Sequence, residues 1–543
     1  MLDEDQLTIQ NIDHLGIAAG LIDKLKLVER IDARLPILNQ QQSHVSHGQR
    51  IKAMILNGLG FTQNPIYLTP KFFTDKPVDL LIGEGVKPEH LNDDSLGRTL
   101  DKCFEYGVMP LFAEIANEIY LDVFGHETTQ VLHLDTTSFA LHGEYDIDYK
   151  DQDNLPALPM YGYSKDHRPD LKQMMMSLTV SGAAQMPIWF EPLDGNSQDK
   201  VNFHNTLATI KAFRAQLKQA PDTTVVADSA LYVNDELKSA FYHWITRIPN
   251  HITLIKQLRE ADESQFSWIE LDEDNQGVWF GHTERGLTQC NLMVYSKQAA
   301  KKQLKTLESQ IQEEKDRIER EANKLATKEL FCRADAEQAF EQFAKKVKYH
   351  DVSFQLVEVK KYPSKGRPKK GAQQEFSHYQ IVTASTPSED KQRPYRNRVG
   401  RFVLATNHFD MPPKAVLDSY KSQQGVERGF RLIKDPIFHL NHLFLKRPER
   451  INALMMIMTF SLMVYNLGQY QFREALKAKD ETILSQTDKP TSTPTLRWIF
   501  QVMSAVHVVT IREQGSAISG ITPEKRKILT LFGSEVSRIY NIA

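Results

Sequence analysis

A chain of 543 residues is too long to fold around one hydrophobic core, so its length predicts three or four domains. Charged residues make up 25% and hydrophobic residues 41%, the balance of an ordinary soluble globular protein. The formal net charge of −3 argues against a uniformly basic nucleic-acid-binding protein, so such a function needs local clusters of positive charge. The cysteines Cys103, Cys290 and Cys332 lie far apart, which excludes a disulfide framework and a zinc site and favours a reducing compartment.

The hydrophobic segments do not indicate secretion or a membrane anchor. The N-terminal sequence MLDEDQLTIQ is acidic and lacks the apolar core of a signal peptide. The most apolar run, Ile451 to Leu467, is shorter than the roughly 20 residues of a spanning helix and contains Asn452 and Asn466. We therefore expect a buried helix there, no membrane association, and a cytoplasmic protein.

Residues 1–126 have the periodicity of α-helices and form the first predicted domain. One helix is predicted around Ile17 to Val28, a second from Gly48 to Leu59, a third capped by Ser95 that ends near Gly107, and a fourth that ends at Gly125. Such a helical domain can bind DNA or merely support its neighbour, and periodicity leaves both functions open.

Residues 127–250 predict the first part of an α/β core. Three apolar strands, VLHLDTTSFAL, MMMSLTVS and MPIWFEPL, are followed by a helix from Val201 to Leu217. The strand TTVVADSAL, a helix near Asp235 to Tyr242 and the short strand WITRIPN come next. This order predicts a mixed sheet with helices packed on its faces.

The rest of the chain predicts an insertion, a return to the core and a helical end. Residues 251–398 combine antiparallel strands with one charged, solvated helix, and we interpret them as a β-rich insertion. Residues 399–470 resume the core with the strand RFVLATN and a helix from Pro412 to Asp435, which Pro436 ends. Residues 471–543 are predicted to be a C-terminal helical region.

Two acidic residues stand in otherwise apolar strands. Asp135 lies in VLHLDTTSF and Asp228 in VVADSALY. A buried charge is unfavourable unless it is paired or binds a cation, and α/β sheets commonly bind ligands at strand ends. Each acid alone is better explained as a cap on the following turn, since structural carboxylates are common, but two such acids together favour a metal site.

A third acid lies on an unusual helix, SYKSQQGVERGFRLIKDP. Tyr420, Gln423, Glu427, Arg431 and Lys434 are spaced by 3, 4, 4 and 3 residues, so they share one helix face. The face is polar, whereas an ordinary amphipathic helix would carry an apolar stripe at this spacing. It is either a solvated face or a functional one, with Glu427 at the metals and the cations along a phosphate backbone.

These motifs together resemble the DDE transposases of bacterial insertion sequences, and most of all the insertion-sequence-four superfamily and its sixteen-thirty-four branch. The superfamily signature is tyrosine, two residues, arginine, three residues, glutamate, six residues and lysine. Tyr420, Gln423, Glu427 and Lys434 have this spacing, with Gln423 in place of the arginine. The segments HLDTTSF, VADSALY, GYSKDHRPDLKQ and DDSLGRTLDKCFEYG also resemble the family, so the likeness covers most of the chain.

The resemblance implies a fold and a reaction. The fold class is α/β: a ribonuclease-H-like mixed sheet with a β-rich insertion, an N-terminal helical domain and a helical C-terminus. Asp135, Asp228 and Glu427 would be catalytic and would hold two Mg²⁺ or Mn²⁺ ions. Water activated between the ions would cut the end of an insertion sequence, and the freed 3′ hydroxyl would attack a second strand. The implied partners are double-stranded DNA with inverted-repeat ends, target DNA, and a second copy of the chain in a dimer on DNA.

Three basic segments are candidate DNA contacts. GYSKDHRPDLKQ contains Lys165 and Arg168, and its acids are as well suited to capping a turn. KKYPSKGRPKK contains Lys365, Arg367 and Lys369 and resembles an AT-hook for the minor groove, although a solvated loop explains it equally well. KQRPYRNRVGR places Tyr395 among cations, which suits stacking on bases.

Two other functions remain open on the sequence alone. A related metal-dependent nuclease would cut DNA without strand transfer. A non-catalytic DNA-binding protein would use the basic loop and the N-terminal helices, and its acids would be structural. A serine nucleophile with a partner base and a glycine-rich phosphate loop are both missing from the sequence.

Overall fold

The computed structural model describes most of the chain and divides it into two compact units. The described residues are 7–37, 45–61, 68–126, 129–142, 145, 155–163, 168–197, 199–216, 222–232, 237–238, 240, 242–284, 286–363, 367, 370–435, 445–512 and 514–542. The first unit comprises Met1–Trp244 and Ser419–Ala543, and the second comprises Ile245–Asp418. The second unit is therefore a single insertion into the chain of the first.

The N-terminal part of the first unit is built mainly from helices. After the strand β1 (Leu7–Asn11) come α1 (Leu15–Lys24), α2 (Leu27–Arg34), α3 (His47–Leu59), α4 (Thr69–Phe73), α5 (Val78–Leu81), α6 (Asp93–Tyr106) and α7 (Val108–Phe124). The predicted helices ending at Leu59 and near Gly125 are confirmed by α3 and α7. The predicted cap of α6 is wrong: Asn92 caps it by accepting a hydrogen bond from the backbone N–H of Ser95.

A region of four paired strands forms the centre of the first unit. Its strands are β2 (Thr129–Ala140), β3 (Gln173–Ser181), β4 (Met186–Leu193) and β5 (Asp222–Ala227), in the order β4-β3-β2-β5. The first three pair antiparallel, and β5 runs parallel to β2. The predicted mixed α/β sheet is confirmed in this part of the chain.

Side-chain alternation gives this sheet two different faces. Trp189 of β4 packs against Ile210 of the helix α8 (Asp199–Gln216), so α8 covers one face. Phe190 points the other way and packs against Phe112 of α7. Both faces are therefore covered, as expected for a sheet whose strands are apolar on both sides.

The second unit combines an antiparallel sheet, a β-ribbon and charged helices. Its elements are β6 (His243–Arg247), α9 (Thr253–Glu260), β7 (Ile269–Glu270), β8 (Asn275–Glu284), β9 (Leu287–Ser296), α10 (Lys297–Ala326), α11 (Arg333–Ala344), β10 (His350–Lys361), β11 (Glu375–Pro387), α12 (Glu389–Asn397), β12 (Arg401–Thr406) and α13 (Pro413–Ser422). The chain enters this unit within β6 and leaves it within α13. Strands β12, β9, β8 and β7 pair antiparallel in that order, and β10 pairs only with β11 among the described strands.

The C-terminal part of the first unit begins with two helices. They are α14 (Gln424–Ile433) and α15 (Pro448–Ala478), and the predicted helix from Pro412 to Asp435 is thus α13 and α14 with a turn at Gln423. Helix α15 is long and apolar enough to cross a membrane by composition, but 94% of its most apolar window is buried inside the protein. This burial makes it a core helix, which was the interpretation of Ile451 to Leu467 from the sequence.

The last seventy residues are not all helical, which corrects the prediction for this region. They form β13 (Ile483–Leu484), β14 (Pro490–Thr491), α16 (Leu496–Val502), β15 (His507–Ile511), β16 (Gly515–Ser519), α17 (Pro523–Phe532) and α18 (Ser534–Ile539). Strand β15 pairs with both β16 and β1, so the two ends of the chain share a three-stranded sheet. Strands this short carry a weak local signal, and their pairing depends on residues at the opposite end of the chain.

Candidate active site

Asp135 and Asp228 occupy equivalent positions on neighbouring parallel strands. The last paired residues of β2 and β5 are His133 and Val226, and each acid lies two residues further along its strand. The backbone of Asp228 is still extended, with φ −69° and ψ −174°. Adjacent strands are roughly 4.8 Å apart, so this register puts the two carboxyl groups side by side at one end of the pairing.

Each of the two aspartates also makes a local backbone hydrogen bond. The half-buried Asp135 accepts one from its neighbour's N–H, Thr136, at 2.8 Å. The exposed Asp228 accepts one from the N–H of Ala230 at 2.8 Å and caps a short 3₁₀ turn, Ser229–Leu231. The capping role that the sequence left open is therefore present at Asp228, and it fixes the orientation of that carboxylate.

Helix α14 runs alongside β2 and brings Glu427 level with Asp135. Near the start of the pair, the Ser422 hydroxyl lies 3.0 Å from Nε2 of His133. Near the end, Nζ of Lys434 lies 5.6 Å from the ring centre of Phe139. Twelve helical residues and six strand residues both span roughly 18–20 Å, so helix and strand run in the same direction and stay together. Glu427, five residues after Ser422, falls about two strand residues after His133.

The rotation of α14 turns Glu427 toward β5. Gly429 faces α15 and β3, because a Cβ atom on it would lie 3.0 Å from Leu462 and 3.9 Å from Leu178, the residue paired with Asp135. Glu427 is two residues earlier and so points to the opposite side, at about 100° per residue. In the strand order β3-β2-β5 the side opposite β3 is that of β5 and Asp228. The three acids therefore come to one region of the first unit.

A hydrogen bond joins the strand that carries Asp135 to the helical segment that carries Glu427. The Ser422 hydroxyl donates to the carbonyl of Ser419 at 2.7 Å, so its oxygen accepts from Nε2–H of His133. Burial lowers the pKa of His133 to about 4, which keeps the ring neutral. Its Nδ1 is buried without a partner among the described residues. This pair was not predicted from the sequence. Its signal there is a single histidine, His133, inside the apolar segment VLHLDTTSF.

The carboxylates do not form one closed ligand cluster. Among the residues that the structure describes, the oxygen atoms of Asp135, Asp228 and Glu427 do not all lie within 4.8 Å of one another. A single small ion would need tighter grouping than this. A pair of ions roughly 3.5–4 Å apart spreads its ligands further than a single ion does.

The other members of the polar helix face differ in accessibility. Arg431 is exposed, Tyr420 is half-buried, and Lys434 lies over the ring of Phe139. Gln423 is only 8% exposed and forms the turn between α13 and α14. Gln423, which stands where the family signature has an arginine, is therefore buried at the junction of the two helices.

The other predicted DNA contacts are only partly described. Lys165, Lys365 and Lys369 lie outside the described residues, and Arg367 is exposed. Arg168 is exposed too and forms a two-bond pair with Asp170, at 2.9 and 2.7 Å. This pairing raises the pKa of Arg168 and holds its guanidinium beside an acid.

The third basic segment is occupied by contacts within the second unit. Lys391 donates to the carbonyl of His350 at 2.7 Å, and Arg401 is buried and donates to Ala261. Tyr395 packs against Tyr349, with its ring also beneath Arg398. These contacts favour a structural role over base stacking for KQRPYRNRVGR.

Comparison with known proteins identifies the family of this chain. Residues 126–467 match the family model "Transposase DDE domain", and residues 7–117 match a domain of unknown function, DUF4277. No curated protein matches the chain. Among solved structures, a piggyBac transposase synaptic complex with hairpin DNA aligns over 99% of this chain and 84% of its own, at 8% identity and a TM-score of 0.34. Because the first model covers more than half of the chain, the protein belongs to the transposase DDE domain family.

Proposed function

We propose that the protein cuts and joins DNA at the ends of an insertion sequence, in cut-and-paste transposition that depends on two divalent metal ions. Two observations support this proposal: the register of β2 and β5, which sets Asp135 beside Asp228, and the contact of Ser422 with His133, which brings the segment of Glu427 to β2. We also place the protein in the sixteen-thirty-four branch of the insertion-sequence-four superfamily, on its motif spacing, and its sheet among the ribonuclease-H-like folds. The order β4-β3-β2-β5, with one parallel pair and helices on both faces, supports that fold assignment.

The donor set suits magnesium or manganese. All three side chains offer carboxylate oxygens, which hard divalent cations prefer, and none of them is a sulfur ligand. Asp135 and Asp228 would hold the ions between β2 and β5, and Glu427 would complete the set from α14. When bound, such a pair of ions stabilises the negative charge that develops on the oxygens of a reacting phosphate.

The chain's own residues have three tasks in this proposal. The backbone N–H groups of Thr136 and Ala230 keep the two aspartates oriented. The packing of α14 on β2 and β3 keeps Glu427 level with Asp135. Tyr420, Arg431 and Lys434 share the helix side of Glu427 and would contact phosphates of the bound strand. We leave Gln423 out of that contact set because it is buried.

The partners follow from the same proposal. The substrate is double-stranded DNA, with inverted-repeat ends and a target, and two copies of the chain would act together on the two ends. The reaction would take place in the bacterial cytoplasm, where the chromosome is accessible.

The test is metal-dependent nicking of supercoiled plasmid, followed by joining of a pre-cut end to target DNA. Asp135→Asn and Glu427→Gln should each reduce nicking in Mg²⁺ or Mn²⁺ by at least about a thousandfold. Glu474→Gln, an exposed acid on α15 of the same unit, is the matched control and should nick like the wild type.

The possible results separate the alternatives. Nicking that persists in both active-site variants would remove the assigned site. Metal-dependent nicking without joined products would identify a nuclease that lacks strand transfer. Binding without cleavage in any divalent metal would identify a non-catalytic DNA-binding protein.

A further inference from the structure

Two tyrosines in the first unit are far more exposed than tyrosines normally are. Tyr161 is 62% exposed and Tyr163 is 88% exposed. A large ring in water forgoes the stabilisation of burial, and an isolated one needs no explanation. Two rings, two residues apart and beside positive charge, are typical of a binding surface.

The backbone under these rings is firmly held. Met160 exchanges two hydrogen bonds with Gln173 of β3, at 2.9 and 3.0 Å. The side chain of Gln173 donates to the carbonyls of Tyr163 and Gly195. Gly162 is packed so closely that a Cβ atom there would lie 2.2 Å from the carbonyl oxygen of Gly195. The rings are therefore presented on a fixed support.

Both rings lie on the side of the sheet that carries the acids. A Cβ atom on Gly162 would also meet the side chain of Gln173, which pairs with Ala140 and so points away from α14. Side chains alternate along an extended segment, so we expect Tyr161 and Tyr163, one residue to either side, to turn toward the opposite face. Lys172 agrees with this, since its Nζ lies 5.8 Å from the ring centre of Tyr161.

The position relative to Asp135 suits a nucleic-acid strand. Five strand residues separate Asp135 from Ala140, and two strand spacings separate Ala140 from Met160, which gives roughly 20 Å in total. That distance corresponds to about five or six nucleotides at 3.4 Å each. The cations Lys434 and Lys172 lie along or beside this path.

We propose that Tyr161 and Tyr163 form a stacking platform for unpaired bases of the DNA strand bound at the three acids. The proposal rests on the proposed function for the location of that strand. Base faces are hidden inside a duplex, so an exposed ring on a fixed backbone binds them only where the strand is unpaired or a base is turned out. Stacking is tolerant of sequence, since every base has a flat face.

The test uses the full chain carrying Glu427→Gln, so that binding is measured without cleavage. The probes are a blunt duplex and the same duplex with a short single-stranded 3′ extension that contains 2-aminopurine. The protein carrying Glu427→Gln alone, here called the parent, should quench the fluorescence of the extension. Adding Tyr161→Ala and Tyr163→Ala to the parent should abolish that quenching. The affinity of this variant for the extended probe should fall at least about tenfold, with little change for the blunt duplex.

Two controls keep the result interpretable. Tyr161→Phe with Tyr163→Phe retains both rings and should quench like the parent. Phe331→Ala removes a ring of comparable exposure, 68%, from the second unit and should change nothing. All of these side chains are exposed, so the variants should fold.

Three results would overturn the platform. They are quenching that survives the alanine variant, an equal loss of affinity for the blunt duplex, and an equal effect of Phe331→Ala. Failure of the proposed function is recognised separately: protein carrying Glu427→Gln would then still nick plasmid, whatever the fluorescence shows.

Discussion

The first unit is organised around one continuous apolar core. In the second unit, the part around the β10–β11 ribbon depends instead on charged groups and a small apolar cluster. The core of the first unit includes residues from Ile12 to Ile542 and buries every residue of α15 from Ile451 to Tyr465. The corresponding cluster beneath the β10–β11 ribbon contains only Leu330, Ala336 and Ile381 as buried members. All three candidate catalytic acids lie in the first unit.

In the second unit, hydrogen bonds to a buried acid help to hold the elements together, a role that apolar packing has in the first unit. Glu314 on α10 accepts hydrogen bonds from the backbone N–H groups of Lys348 and Tyr349, at 2.9 and 2.6 Å, and contacts His350. Burial alone would raise the pKa of Glu314, but these hydrogen bonds outweigh it and hold the pKa below its usual value. The candidate metal ligands therefore lie in the unit with the densely packed core, where dense packing can hold side chains in a precise geometry.

The largest predicted effect concerns one strand of the first unit. Asp222 is the first residue of β5 and Asp228 directly follows its last residue, and both are exposed. Asp228→Asn should reduce metal-dependent nicking by about a thousandfold or more, because it removes a charged ligand. Asp222→Asn should leave nicking within a fewfold of the wild type. Equal loss in both variants would mean that the strand needs its charge for folding, which a thermal melt of each protein would reveal.

Core truncations should distinguish the two units by stability. Phe112→Ala removes a fully buried ring that contacts Phe190 and Phe460, so it should cost about 3–5 kcal/mol. Ile381→Ala in the small cluster should cost about 2 kcal/mol, at the lower end for such a change. Hydrogen exchange should accelerate across β2–β5 in the first variant, but only within residues 297–387 in the second. Faster exchange throughout the first unit in the Ile381 variant would contradict this division.

Acid should destabilise the two units over different pH ranges. Burial lowers the pKa of His14, in the first unit, from 6.5 to about 4, and that of His47 likewise. The unfolded chain then binds these protons more tightly, so stability falls as the pH drops from about 6.5 to about 4, by up to about 3 kcal/mol for His14. The stabilisation from Glu314 is present above its unfolded pKa of 4.5 and is lost only as the pH falls below that value.

A glutamine at position 14 tests this pH dependence. His14→Gln should start less stable, because the ring stacks on Phe500 and donates to the carbonyl of Leu59. It should nevertheless lose less stability than the wild type between pH 6.5 and 4, measured by urea unfolding at each pH. An unchanged pH slope would show that His14 does not titrate in this window.

The smallest predicted effect compares two exposed arginines. Arg431→Gln on α14 should weaken DNA binding severalfold and reduce the slope of log affinity against log salt by about one. Arg320→Gln on α10 of the second unit removes the same charge from an exposed helix and should change neither quantity. Equal weakening by Arg320→Gln would place the charged helix of the second unit on the DNA as well.

Local patterns were sufficient to predict the elements that carry the acids. An apolar run containing one aspartate predicted β2, a similar run predicted β5, and helical spacing of polar residues predicted α14. Each of these signals extends over about ten consecutive residues and needs no distant partner.

Contacts between distant residues could not be predicted in this way. The three-stranded sheet pairs Leu7 with Ile511, and the hydrogen bond from His133 to Ser422 joins residues 289 positions apart. The exposure of Tyr163 could not be predicted either, because it depends on which surfaces the folded chain leaves uncovered. Sequence patterns place residues on strand or helix faces, but the packing of those faces on each other decides which atoms meet.

The central claim is that Asp135, Asp228 and Glu427 jointly hold divalent metal ions, and anomalous scattering from Mn²⁺ tests it most directly. In crystals of the full chain bound to a cut DNA end and soaked in MnCl₂, the claim predicts strong anomalous peaks within bonding distance of all three carboxylates. Peaks located only elsewhere, with these side chains bound to protein atoms alone, would contradict it.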